Sequence, residues 1–104
     1  MKEVKRTNKF NKHLKEMRKS VRGREIEAKL DDIIGKLKAG EKLGVQYKDH
    51  LLSNDGSFQG QRECHLAGDV ILVYMVERES LILNQLGSHT KIYDQSRKRA
   101  KVKR

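Results

Sequence analysis

The chain predicts an α+β domain in which an N-terminal helical hairpin packs on a small antiparallel sheet. Three observations predict it: apolar residues at helical spacing up to Gly40, a change to strand-forming residues after residue 60, and a length of 104 residues that fits one domain. Glu3 to Thr7 reads as a short edge strand. Phe10, Leu14, Met17 and Val21 then form an apolar stripe, so residues 8–20 read as an amphipathic helix with Lys9, Lys12, Lys15, Arg18 and Lys19 mostly off that face. Gly23 interrupts the pattern. From Arg24 a second stripe of Ile26, Leu30, Ile33, Ile34 and Leu37 runs to Gly40, a C-terminal stop.

Residues 62–66, 70–77 and 80–86 are rich in strand formers and are separated by the turn-like pairs Ala67-Gly68 and Arg78-Glu79, which gives a meander. Val70 to Val76 is apolar almost throughout and reads as a central strand, covered by helices on one face and partly shielded on the other. With two-residue loops, Leu66 faces Asp69, His65 faces Val70, and Val70 faces Gly87. One end of the sheet then gathers His65, Asp69 and His89. A one-residue slip would turn His65 to the opposite face.

Composition narrows the function. The net charge is +10, and it is uneven: residues 1–40 hold 13 Lys/Arg against 6 Asp/Glu, residues 41–93 hold 5 against 7, and residues 94–104 hold 6 against 1. Two basic ends around a near-neutral middle suit a polyanion held at the ends and chemistry in between. No apolar run approaches the roughly 20 residues of a membrane span, and the charged N-terminus lacks the apolar stretch of a secretory signal, so the expected compartment is the cytoplasm, with no membrane partner. The single cysteine, Cys64, excludes an internal disulfide, and the absence of CxxC spacing removes the common zinc and redox motifs. It reads as a small buried strand residue. The tail from Ser96 to Arg104 reads as disordered when free, an RNA-binding arm or a solubilising end.

Three histidines of the second half sit in short polar clusters: Tyr47-Lys48-Asp49-His50, Arg62-Glu63-Cys64-His65, and Gly87-Ser88-His89. Imidazole moves protons near neutral pH, and cleaving RNA needs a base for the 2′-hydroxyl, an acid for the departing 5′-oxygen and cations for the charged phosphorane. Lys48, Arg62 and Lys91 are the candidate phosphate ligands. Asp69 either orients a histidine through its second N–H or ends the turn. Tyr93, four residues after His89, either stacks on a base or transfers a proton; the alternative is a tyrosine closing the core. His13, on the lysine-rich helix without such a cluster, reads as a solvated residue. A metal site on the three histidines and Asp69 lacks supporting ligand spacing, and no metal or other cofactor is expected.

Tyr47-Lys48-Asp49-His50-Leu51, Gly60-x-Arg62-Glu63-Cys64-His65, Asp69-x-x-Leu72-x-Tyr74 and Leu81-Ile82-Leu83 ahead of Gly87-Ser88-His89 together resemble the YafQ branch of the RelE/ParE toxin superfamily, across roughly residues 45–93. The resemblance implies a RelE-like fold over residues 1–93 with a basic tail at 94–104. It implies a type II toxin that enters the ribosomal decoding site, cuts mRNA and is inhibited by a cognate antitoxin. In that family the positions of His50, His65, Asp69 and His89 form the catalytic set, and the position of Tyr93 is usually Phe; the tyrosine and the basic tail are departures. Two other readings remain beside it: a non-enzymatic ribosome- or RNA-binding module, and a ParE-like relative acting on DNA gyrase.

Overall fold

The computed structural model describes residues 2–52 and 60–93; the basic tail lies outside them. Strand β1 (Glu3–Arg6) leads into helix α1 (Asn8–Arg18), whose first turn is capped by Thr7: its side chain accepts from the Phe10 N–H at 3.0 Å and donates to the Asn84 carbonyl at 2.8 Å. This one residue ties the helix start to the sheet. Helix α2 (Gly23–Lys38) begins where α1 folds back. A Cβ on Gly23 would lie 2.7 Å from the Met17 carbonyl oxygen, so only glycine permits so tight a hairpin. At the far end Gly40, with φ of +80°, closes α2, and the following Glu41 N–H returns to the Lys36 carbonyl.

A single 3-10 turn (Val45–Tyr47) then leads to the two-residue strand β2 (His50–Leu51), and the meander follows as β3 (Arg62–Ala67), β4 (Val70–Val76) and β5 (Ser80–Ser88). Residues 89–93 form a closing helical turn. The sheet order is β1-β5-β4-β3-β2, which places β4 at the centre. The sheet is mixed rather than wholly antiparallel, because β1 pairs with β5 in parallel. β1 and β5 are separated in the chain by the helical hairpin and the rest of the meander, which gives the long connection that parallel strands require.

The helices cover one face. Phe10, Leu14, Ile26, Leu30, Ile33 and Leu37 pack on Cys64, Leu66, Leu72, Tyr74, Leu81, Leu83 and Leu86. On the other face a smaller cluster of Ile71, Val73 and Ile92 is flanked by Leu52 and Tyr93. The central strand is therefore apolar on both sides, the second side sheltered by the closing turn.

The register differs from the sequence expectation in a consequential way. The first turn is Gly68-Asp69, with Ala67 opposite Val70, and a bulge at Leu66 leaves His65 opposite Ile71 instead of Val70. Ile71 belongs to the face away from the helices and Val70 packs against the helix-side core, so His65 lies on the open face. The bulge also lets the consecutive residues Leu66 and Ala67 both reach the main core. Between β4 and β5, Val76 faces Leu81 as two-residue turn arithmetic requires, but a bulge at Asn84 moves Val70 from Gly87 to Ser88.

Candidate active site

Strand alternation builds the site. His50 faces Glu63 across β2 and β3, and His65 follows Glu63 by two residues, so all three project from the open face. The third histidine arrives through the closing turn. The Ser88 hydroxyl accepts from the Lys91 N–H at 3.2 Å and caps that turn, while the His89 N–H donates to the Asp69 carbonyl at 2.9 Å. The His50 and His65 ring centroids are 6.5 Å apart, and those of His65 and His89 also 6.5 Å. The three imidazoles thus form a row.

Glu63 lies beneath that row. Its residue is 2% exposed. One carboxylate oxygen is 3.2 Å from His65 Nε2 and 3.5 Å from His50 Nε2; the other is 3.8 Å from His89 Nε2 and accepts the Tyr93 hydroxyl. A buried carboxylate is stable only with such partners. The Tyr93 ring also rests 4.5 Å from the His89 ring. Burial, and then the bond to Glu63, push the Tyr93 hydroxyl well above the ordinary tyrosine range, so it acts as a held proton donor.

The opposite side of β3 carries a second polar set. Arg62 donates to both carboxylate oxygens of Asp49, from Nε at 3.2 Å and from a terminal nitrogen at 3.1 Å, and the buried Tyr74 hydroxyl donates to the same carboxylate. Asp49 raises the Arg62 pKa through that hydrogen bond, and burial, followed by the Asp49 bond, raises the Tyr74 pKa. This clamp fastens the segment immediately before His50. Lys48 has the left-handed φ of +49°, which aims its carbonyl at His50 Nδ1, 2.8 Å away.

The geometry therefore redistributes the residues singled out in the sequence. His50, His65, His89 and Tyr93 converge. Asp69 contributes its backbone carbonyl, but its exposed side chain faces the field of Arg22, and among the described residues it bonds none of the histidines. The orienting carboxylate is Glu63, and the signal for it was present: Glu63 and His65 are two residues apart in a strand, hence on one face. Arg62 is committed to Asp49 on the other face rather than aimed at the histidines. Lys48 is exposed beside His50, and Lys91 extends from the closing turn with Nζ 3.5 Å from Glu16. His13 is not a free solvated residue, since its Nδ1 accepts from the Leu86 N–H at 3.2 Å; burial and then Lys91 lower its pKa. Cys64 is fully buried and its thiol is pushed up to about 12 by desolvation, which leaves it unreactive.

Among the described residues no group of three or more His, Cys, Asp or Glu is arranged to hold a metal ion. What the arrangement offers is proton transfer at a half-open surface.

Residues 2–94 match the family model of the YafQ bacterial toxin of type II toxin–antitoxin systems. The chain belongs to the YafQ toxin family. A metal-bound toxin from Helicobacter pylori is 33% identical, with a TM-score of 0.73, covering 88% of this chain and 98% of that one. The Escherichia coli DinJ–YafQ toxin–antitoxin complex is 26% identical, with a TM-score of 0.74, covering 88% and 97%. YafQ from E. coli strain BL21(DE3) has the same fold at 24% identity, with a TM-score of 0.77 and coverage of 89% and 99%. Comparison with curated proteins finds no match. The YafQ assignment makes this chain a bacterial type II toxin with an α+β fold. No helix among the described residues is long and apolar enough to cross a membrane.

Proposed function

We propose that this YafQ-family toxin is a metal-independent endoribonuclease that cuts translated mRNA in the ribosomal decoding site and is held inactive by a cognate antitoxin. The observation that carries the reading is the row of three imidazoles, half open to solvent, over one buried carboxylate. One imidazole removes the 2′-hydroxyl proton, the 2′-oxygen forms a bond to phosphorus, the bond from phosphorus to the 5′-oxygen breaks, and a second imidazole returns a proton to that oxygen. The remaining positive charge, with Lys48 and Lys91, stabilises the phosphorane. The Tyr93 ring supports His89 and offers a stacking surface for a base.

Asp69 serves through the backbone that fixes His89. Residues 1–93 constitute the toxin domain, and the tail at 94–104 adds phosphate contacts to ribosomal RNA. The DinJ–YafQ pair motivates the antitoxin partner. The action is cytoplasmic, where translated message is found. Primer extension on a defined message in a purified translation system tests the reading. Cuts that need ribosomes, vanish with His89→Ala and are suppressed by the antitoxin are the expected result; intact message with wild-type protein would overturn it.

A further inference from the structure

We propose that Glu63 is the positioning residue of this site: it holds the ring proton of His65 on Nε2, so that His65 Nδ1 is the open proton acceptor among the three imidazoles. The proposal rests on the nuclease reading only for what the rings then do.

A carboxylate oxygen accepts, so the 3.2 Å contact from His65 Nε2 places a proton on Nε2. Nδ1 of His65 then keeps its lone pair, and no partner bonds it among the described residues. His50 is different. Its Nδ1 lies 2.8 Å from the Lys48 carbonyl, which can only accept, and its Nε2 lies 3.5 Å from the Glu63 carboxylate. The carbonyl contact places a proton on His50 Nδ1, and the longer contact turns its Nε2 edge toward the carboxylate. His89 makes the longer 3.8 Å approach to Glu63 and rests against the Tyr93 ring.

Among the described residues, the groups facing Glu63 are His50 on β2, His65 on β3, and His89 and Tyr93 on the closing turn, and β4 places Val73 opposite it. The adjacent Cys64 thiol lies in the same field. In the reaction His65 Nδ1 takes the 2′-hydroxyl proton as the oxygen bonds phosphorus, and the imidazolium formed stays next to the Glu63 carboxylate. Developing positive charge is thereby met by a preorganised anion.

The test is long-range proton–nitrogen NMR of the full chain labelled with 15N-histidine, comparing wild type, Glu63→Gln and Glu63→Asp. Wild type is expected to show His65 with its proton on Nε2. Glu63→Gln, whose amide donates as well as accepts, is expected to move His65 toward the form protonated on Nδ1, while the signals of His13, hydrogen-bonded to Leu86 on the helix side, stay put. Glu63→Asp, which keeps an acceptor-only carboxylate, is expected to recover part of the wild-type pattern. Cleavage by Glu63→Gln should show a lower kcat with little change in KM. A wild-type His65 carrying its proton on Nδ1, or a His65 pattern unchanged in folded Glu63→Gln, would overturn the proposal. The wild-type spectrum decides it even if the variants do not fold, and a wild type that cuts no message defeats the nuclease reading separately.

Discussion

Two carboxylates, Asp49 just before β2 and Glu63 in β3, each receive a tyrosine hydroxyl, yet their surroundings assign them different work. Asp49 accepts Tyr74 and the two-pronged guanidinium of Arg62, a permanent cation in a fixed fork. Glu63, one residue along from Arg62, accepts Tyr93 and faces three imidazoles, the side-chain type suited to moving protons. The first set is a fixed fork and serves as a fastener. The second can exchange protons and suits chemistry. The backbone needs only one step to switch between them, because successive strand residues point to opposite faces.

Several substitutions separate the two sets. The largest effect belongs to the imidazoles: His65→Ala or His89→Ala should reduce ribosome-dependent cleavage on the order of 10²-fold or more, with Tm close to wild type because both rings are partly exposed. Equal losses of activity and stability would erase the distinction between site and fastener. Asp49→Ala addresses the other side. It strands the buried Tyr74 hydroxyl and should cost about 2 kcal/mol in urea unfolding, whereas a loss below about 0.5 kcal/mol would show that the clamp holds nothing.

Tyr93→Phe keeps the ring against His89 and removes the hydroxyl that donates to Glu63. Cleavage should fall less than about tenfold, since the imidazoles still face the carboxylate; a loss as large as that of His89→Ala would make the hydroxyl a direct participant. The smallest effect concerns His13, a histidine outside both sets. Its folded pKa lies below its unfolded value near 6.5, so below that pH the unfolded chain binds more protons and stability falls as pH drops toward the folded value. Urea midpoints of His13→Ala should lose this acid-side slope, and an unchanged slope would assign it to other groups.

How much of this was legible in the chain depended on the range of the interaction. The helices, the central strand and the apolar stripes were legible because they follow from local periodicity. So was the grouping of the histidines and Tyr93, through the resemblance to the YafQ family. The face of His65 was not: a bulge at Leu66 shifts the register by one, and nothing in the hexapeptide from Arg62 to Ala67 announces it. The same limit made Asp69 an attractive orienting group, since it is acidic and near in sequence, although its carboxylate bonds none of the histidines.

The sequence by itself determined the basic ends around a near-neutral middle, the helical hairpin, the meander and the residue types able to move protons, since composition and periodicity are properties of short segments. Only the tertiary structure decided that Glu63 lies under the imidazoles while Asp49 locks Arg62 and Tyr74, because partner choice depends on strand register and on which face each side chain reaches. A one-residue difference in pairing costs the backbone little, but it exchanges every side chain between a packed interior and an open site.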